Sequence, residues 1–195
     1  NIVEINECGG GENMVYTCKY KSLIGDVLLA ADEIGLTGLW FAGQKYYAHG
    51  LPDENIWQET KILTETRRWL DIYFSGVEPD FQIPIHLEGT DFQMCVWEIL
   101  CTIPYGETTT YGAIAKQIAH DRGISKMSSQ AVGNAVGRNP VSVIVPCHRV
   151  IGAKGNLTGY AGGIERKAEL LKIEQNKMPL SSIPFDKVKE NVYKK

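Results

Sequence analysis

No stretch of the sequence approaches the roughly 18 consecutive apolar residues that a membrane-spanning helix needs, so a membrane partner is not expected. There is no basic-then-apolar amino-terminal segment either, and hence no visible secretory signal, although a start at Asn1 leaves room for a removed leading piece. Cys-x-x-Cys pairs are missing: the five cysteines (Cys8, Cys18, Cys95, Cys101 and Cys147) are odd in number and scattered. That usage suits a reducing compartment, the cytoplasm or, in a eukaryote, the nucleus, and it leaves thiols free for chemistry. Cys8, Cys18, His49 and His86 contain the donor atoms for a zinc site, but their spacing follows no standard finger pattern, so no metal and no cofactor is expected. Internal repeats and low-complexity tracts are absent, which excludes a solenoid.

A basic excess is lacking too. Lys and Arg number 20 against 23 Asp and Glu, net -3, which speaks against a uniformly nucleic-acid-binding surface. The charge is unevenly divided, however: residues 1–100 carry net -10, residues 101–175 net +4 and residues 176–195 net +3. Phosphate contacts are therefore expected from the middle segment, with the acidic first half facing elsewhere.

With 195 residues, 44% of them hydrophobic, the chain can bury a sizeable core in one domain or two small ones. Residues 1–13 read as a glycine-rich lead-in. Strand-like runs follow at Met14 to Tyr20, Asp26 to Ala31 and Gly35 to Phe41, and helical spacing runs from Ile56 to Phe74. Phe81 to Leu87 carries Pro84 and reads as an edge strand or a linker. These features describe an α/β unit over residues 1–88 with no motif of its own for catalysis.

A second unit, residues 89–175, opens at Thr90 with a capping-box pattern and an apolar stripe of Phe92, Cys95, Val96, Ile99 and Leu100. A second helix runs from Tyr111 to about His120. A third, short one after Ser128 has Ala131, Val132, Ala135 and Val136 facing inward and Gly133 in its middle. Two short helices joined by a turn, the second built of small residues, are compatible with a helix-turn-helix that enters a DNA groove, although the pattern alone favours an ordinary helical hairpin. Val141 to Val145 reads as a buried strand, and Ile164 to Gln175 as a helix whose apolar positions are Ile164, Ala168 and Leu171. Residues 176–195 form a tail.

The chemistry-bearing stretch is Pro146-Cys147-His148-Arg149. An imidazole beside a thiol can take its proton, but successive strand residues face opposite ways, so the two side chains cooperate only if the backbone turns there. Pro146 suits such a bend. From these residues alone Cys147 is either a nucleophile or a small buried hydrophobe. The glycines from Gly152 to Gly163 form either a ligand-embracing loop or a flexible connector.

Pro146-Cys147-His148-Arg149-Val150, preceded by Gly137-Arg138-Asn139-Pro140-Val141 and followed by Gly159-Tyr160-Ala161-Gly162-Gly163, resembles the signature of the O6-alkylguanine-DNA alkyltransferases, also called methylated-DNA-protein-cysteine methyltransferases. The resemblance runs from about Thr90 to Glu174 and includes Ile103-Pro104-Tyr105-Gly106-Glu107-Thr108 and Thr110-Tyr111-Gly112. It implies a ribonuclease-H-like α/β domain followed by a mainly helical DNA-binding domain with a helix-turn-helix and an active-site cysteine. The implied function is DNA repair, in which a monomer binds double-stranded DNA containing O6-alkylguanine, and O4-alkylthymine as well. The alkylated base is flipped out of the duplex, and its alkyl group passes irreversibly to Cys147.

The resemblance also implies roles. His148 takes the thiol proton through a water, Glu174 orients His148, and Tyr111 donates towards the guanine ring nitrogen. Asn139 ties the recognition helix to the active-site turn. The main-chain carbonyls of Cys147 and Val150 accept from the exocyclic amine, Tyr160 and the Ala161 N–H line the pocket, and Arg149 holds structure or phosphate. Gln130, Ala131, Gly133, Asn134 and Arg138 face DNA. Gln130 departs from the pattern, because many members carry an arginine there; glutamine fills the space without the cation, so weaker or more salt-sensitive binding is expected. Two other readings of the residues are a damage-binding or signalling protein on the same fold and a Cys-His hydrolase, the latter leaving the DNA-reading helices unexplained.

Overall fold

The structure, a computed structural model, describes residues 14–175. The expected lead-in and tail lie outside the described residues. A β-hairpin begins the fold: β1 (Tyr16–Ser22) pairs antiparallel with β2 (Gly25–Ala31), Cys18 and Tyr20 pointing into the core while Lys19 and Lys21 point out. β2 pairs in turn with β3 (Leu36–Phe41), and the turn between them is held by the Asp32 carboxylate, which accepts from the N–H groups of Ile34 and Gly35. A two-residue strand, β4 (Ile56–Trp57), lies parallel to β1 and completes the order β3-β2-β1-β4.

Helix α1 (Lys61–Phe74) starts at Thr60, whose hydroxyl caps Leu63, and buries Leu63, Leu70, Tyr73 and Phe74. The helix expected from Ile56 thus begins five residues later. Ile56 stands seven positions before Leu63 and matches helical spacing by coincidence; it sits in the exposed β4.

Phe81 to Leu87 touches the edge of β3 at one bridge, Leu36 with Ile85. There the Leu36 N–H donates to the Pro84 carbonyl and the His86 N–H to the Leu36 carbonyl, so Pro84 serves where only an acceptor is needed. Farther along the same edge, Leu39 bonds to Pro140 and Ser142 of the second unit. The two units consequently share one hydrophobic core running from Leu29 and Leu39 through Trp97 to Val141 and Leu170.

The second unit consists of α2 (Asp91–Cys101), β5 (Thr109–Thr110), α3 (Tyr111–Asp121), α4 (Ser129–Gly137), β6 (Val150–Ile151) and α5 (Ile164–Gln175). Thr90 forms the expected capping box with Gln93, and Thr110 and Ser128 cap α3 and α4. Trp97 of α2 donates its indole N–H to the Ala135 carbonyl at 2.9 Å, fixing α4 against α2. Parallel pairing of β5 with β6 places Tyr111, the first residue of α3, beside the chain that leaves Cys147.

Two expectations about the second unit are corrected. Val141 to Val145 is buried but forms a turn, with Val143 at φ 70°, not a strand. Val141 makes a single bridge to Leu39 of β3; the carbonyls of Val141 and Val145 accept from the Asn139 side chain, so the rest of the apolar run is packed without a ladder. In α5, Ile164 is 43% exposed, and the buried stripe is Lys167, Leu170, Leu171 and Glu174. That stripe has helical spacing of i, i+3, i+4 and i+7, with a charged residue at each end facing the site described next.

Candidate active site

The backbone does turn at the cysteine. Pro146 leads into a single 3-10 turn, Cys147–Arg149, closed by the Arg149 N–H on the Pro146 carbonyl. Asn139, just beyond α4, reaches across the preceding loop: its amide nitrogen lies 2.9 Å from the Val145 carbonyl, 3.2 Å from that of Val141 and 3.1 Å from the Cys147 sulfur. Its oxygen accepts from the Val141 N–H. Asn139 thus joins the end of α4 to the Cys147 turn through a set of hydrogen bonds.

Cys147 and His148 are both buried. Burial pushes the thiol up to about 11, opposed by the Asn139 amide and the charge of Lys167. Burial lowers the imidazole of His148, opposed by Glu174. The resting pair is thus a neutral thiol beside a neutral imidazole. His148 Nε2 lies 2.7 Å from Glu174 Oε1, whereas Nδ1 is buried without a hydrogen-bond partner. A carboxylate only accepts, so the proton resides on Nε2 and Nδ1 carries the free lone pair.

Glu174 is surrounded by donors. Besides His148 it accepts from Arg149 Nε and Nη2, the Tyr73 hydroxyl and the Gly106 N–H. Burial alone would raise its carboxyl; hydrogen bonds from His148 and Arg149, together with the guanidinium charge of Arg149, outweigh that and hold it below the ordinary carboxylate range. Arg149 also donates to the Ile103 carbonyl at 2.6 Å and is buried, which makes it structural and removes it from contact with phosphate.

Lys167 is fully buried, its ammonium donating to the carbonyls of Val150 (2.6 Å) and Thr158 (2.8 Å). Burial lowers it to about 8. The Val150 carbonyl expected to read the base already accepts from this lysine, and that of Cys147 from the Val150 N–H, which leaves each one further lone pair. The Tyr111 hydroxyl, expected to donate towards a base, here bonds to the Thr158 and Gly159 carbonyls, 3.0 Å from each, so it must exchange those partners to act. Tyr160 is buried with its hydroxyl unpartnered, and Ala161 is partly buried beside it in sequence. Gly162 follows because a Cβ there would come within 2.6 Å of the Tyr160 ring.

On α4, Gln130 and Asn134 are exposed and Ala131 and Gly133 half-buried. A groove of about 540 Å³ lies between this helix and the glycine-rich loop, lined by Tyr111, Gln130, Gly133, Asn134, Thr158 and Gly159. Arg138 is exposed and stacks on Tyr46 of the first unit, 4.6 Å from the ring centroid. A larger cavity of about 750 Å³, lined among others by Asp32, Tyr46, His86 and Arg138, includes neither Cys147 nor His148. Cys8 lies outside the described residues, and His86 pairs with Asp32; among the described residues no three His, Cys, Asp or Glu side chains are gathered as a metal would need.

The site thus unites Cys147, His148, Asn139, Glu174, Val150, Tyr111 and Tyr160. Tyr73 and Lys167 were missed. Tyr73 sits in an ordinary amphipathic helix and gives no sequence signal; Lys167 shares the i to i+7 spacing of Glu174, a signal visible only if a charged residue is allowed on a buried stripe.

Two family models match the chain: "6-O-methylguanine DNA methyltransferase, ribonuclease-like domain" over residues 14–87, and "6-O-methylguanine DNA methyltransferase, DNA binding domain" over residues 91–176. The methylated-DNA–protein-cysteine methyltransferase of Methanosarcina acetivorans is 47% identical over 161 residues, 82% of this chain and 98% of that one. That of Mycobacterium tuberculosis is 42% identical over 176 residues, 89% and 100% of the two chains. Among solved structures, Mycobacterium tuberculosis O6-methylguanine methyltransferase superimposes with a TM-score of 0.68 at 43% identity, covering 86% of this chain and 96% of that one. Mycobacterium tuberculosis OGT in complex with DNA does so with a TM-score of 0.68 at 42% identity and the same coverage.

Proposed function

Because the chain belongs to the 6-O-methylguanine DNA methyltransferase family, with the DNA-repair activity of a methylated-DNA–protein-cysteine methyltransferase, we propose that Cys147 is its alkyl acceptor and O6-alkylguanine in duplex DNA its substrate. The observation that carries this reading is the buried turn at Cys147, in which the following residue, His148, is held at Nε2 by Glu174 and is bare at Nδ1, a free base in the same turn as the thiol.

In the reaction the guanine leaves the stack and enters beside Cys147, since O6 cannot be approached in line from within the duplex. The thiol proton passes through a water to His148 Nδ1, and Glu174 stabilises the imidazolium that results. The sulfur lone pair attacks the alkyl carbon; the S–C bond forms as the O6–C bond breaks, and the bonding pair goes to O6. Negative charge spreads into the guanine ring, where the Tyr111 hydroxyl donates to a ring nitrogen. Val150 and Cys147 carbonyls accept from the exocyclic amine, and Tyr160 and the Ala161 N–H close the pocket. The thioether is inert, so each molecule acts once.

Gln130, Ala131, Gly133, Asn134 and Arg138 form the DNA-facing surface, with Gln130 filling the vacated stack. O4-alkylthymine presents the same alkyl-oxygen bond to the sulfur and is a second substrate. We read residues 1–88 as the supporting domain, 89–175 as the DNA-binding and transfer domain and 176–195 as a tail, in a monomer working in the cytoplasm. No helix among the described residues is long and apolar enough to cross a membrane. A damage-binding role without transfer would leave the thiol, imidazole and carboxylate without a task. Substrate scope is tested by incubating the protein with duplexes carrying O6-methylguanine, O4-methylthymine or neither and assaying loss of the methyl group from DNA. Loss from the first two at one equivalent of protein per lesion is expected; binding to the modified duplex with no loss overturns the proposal.

A further inference from the structure

We propose that Tyr73, on helix α1 of the amino-terminal unit, is a positioning residue for the transfer: its hydroxyl holds Glu174 against His148 so that the imidazole keeps its proton on Nε2 and turns Nδ1 to the thiol. The inference rests on the reading of Cys147 and His148 given above and deepens it.

The Tyr73 hydroxyl lies 2.8 Å from Glu174 Oε1 and 3.3 Å from His148 Nε2. A phenol has one proton, and the carboxylate takes it. Towards Nε2 the phenol oxygen can therefore only accept, so the arrangement accommodates the Nε2–H tautomer and repels the other, which would set a nitrogen lone pair against two oxygens. The tyrosine ring also sets the plane of the imidazole, the two meeting edge to face at 76° with centroids 6.4 Å apart. Tyr73 itself is fully buried and cannot drift: Trp69 stacks on it at 5.3 Å, while Phe74 and Tyr105 meet it edge-on.

The charged and titratable groups around His148 are Glu174 and Lys167 of α5, Arg149 and Cys147 of its own turn, and Tyr73 of α1. Of these, Tyr73 is the one supplied by the first unit. Removing its hydroxyl takes one donor from Glu174 and leaves Arg149 and Gly106 in place. The carboxylate then attracts the imidazolium more strongly, and the imidazole is held less firmly in the orientation that transfer needs.

The test compares Tyr73→Phe with the parent chain in four measurements: affinity for a duplex containing O6-methylguanine, single-turnover transfer rate from pH 5.5 to 9, thermal unfolding, and the NMR titration of the His148 ring without DNA. Trp69→Phe serves as the control, since it loosens the same packing and keeps the hydroxyl. For Tyr73→Phe, affinity is expected to stay within about twofold and the rate at saturating DNA to fall about tenfold, the equivalent of one weak charge-assisted hydrogen bond. The His148 titration should move up by roughly one unit, carrying the pH midpoint of the rate with it. An unmoved titration, or a rate loss that Trp69→Phe reproduces with no midpoint change, overturns the proposal. Should Tyr73→Phe not fold, the ring nitrogen shifts of the parent chain decide: Nε2–H supports the proposal and Nδ1–H overturns it. Absence of methyl transfer by the parent chain would instead defeat the assignment of Cys147, a failure distinguishable because the titration needs no DNA.

Discussion

The Asn139 side-chain nitrogen sits 3.1 Å from the Cys147 sulfur, while the oxygen of the same amide accepts from the Val141 N–H. Two N–H groups thus serve three acceptors: the sulfur and the carbonyls of Val141 and Val145. Asn139→Ala leaves those buried backbone groups without partners and should lower the unfolding free energy by about 2–4 kcal/mol in urea titrations. It also removes a donor to the sulfur, so the Cys147 thiol should titrate higher, as followed by thiolate absorbance.

Acid should destabilise the protein in two stages. His148 has its folded pKa lowered by burial, so the unfolded chain takes up a proton near pH 6.5 that the native state refuses, and stability is lost as pH falls below that point. Glu174, whose carboxyl is held below its ordinary value of 4.5 in the native state, adds a further loss as pH drops below that value. Urea midpoints measured from pH 7 to pH 3 should show both stages, and Glu174→Gln should lack the lower one.

Lys167 carries its charge only below about pH 8, and that charge favours the Cys147 thiolate. Transfer by the parent chain should accordingly gain less from rising pH above about 8 than a simple thiol titration would give. In Lys167→Met the thiol should titrate higher at every salt concentration and the effect near pH 8 should vanish. An unchanged thiol titration would remove the lysine from this role.

Gln130 stands exposed on α4, at the position where the family resemblance implies an arginine. Gln130→Arg should tighten binding to a duplex containing O6-methylguanine severalfold at low salt, with the gain shrinking as salt rises. Equal affinities for both proteins across a salt series would show that the cation is dispensable at this position.

The elements whose sequence signals are local were legible. Capping at Thr90, the small-residue helix α4 and the bend at Pro146 all follow from neighbours in the chain. Misreadings arose where distant residues decide. Val141 to Val145 has the apolar content of a strand, but only Val141 bridges to β3, and the side chain of Asn139 takes up the carbonyls of a turn. Helix α5 looked amphipathic about Ile164 and Ala168, yet it turns Lys167 and Glu174 inward because backbone carbonyls, Arg149 and His148 satisfy their charges. Tyr73 was invisible for the same reason, since its partner lies 101 residues away. Cys147 and His148 were named from the sequence, but the tautomer that gives them a direction of proton flow depends on Glu174 and Tyr73 together.

The proposed function comes down to one thiol taking one alkyl group. Its most direct test weighs the intact protein and its tryptic peptides after incubation with excess duplex containing O6-methylguanine. The predicted result is a single added methyl group, located on the Cys147 peptide at one equivalent per protein molecule and absent in Cys147→Ser. An unmodified Cys147 peptide after prolonged incubation, or a methyl group found on another cysteine, would contradict it.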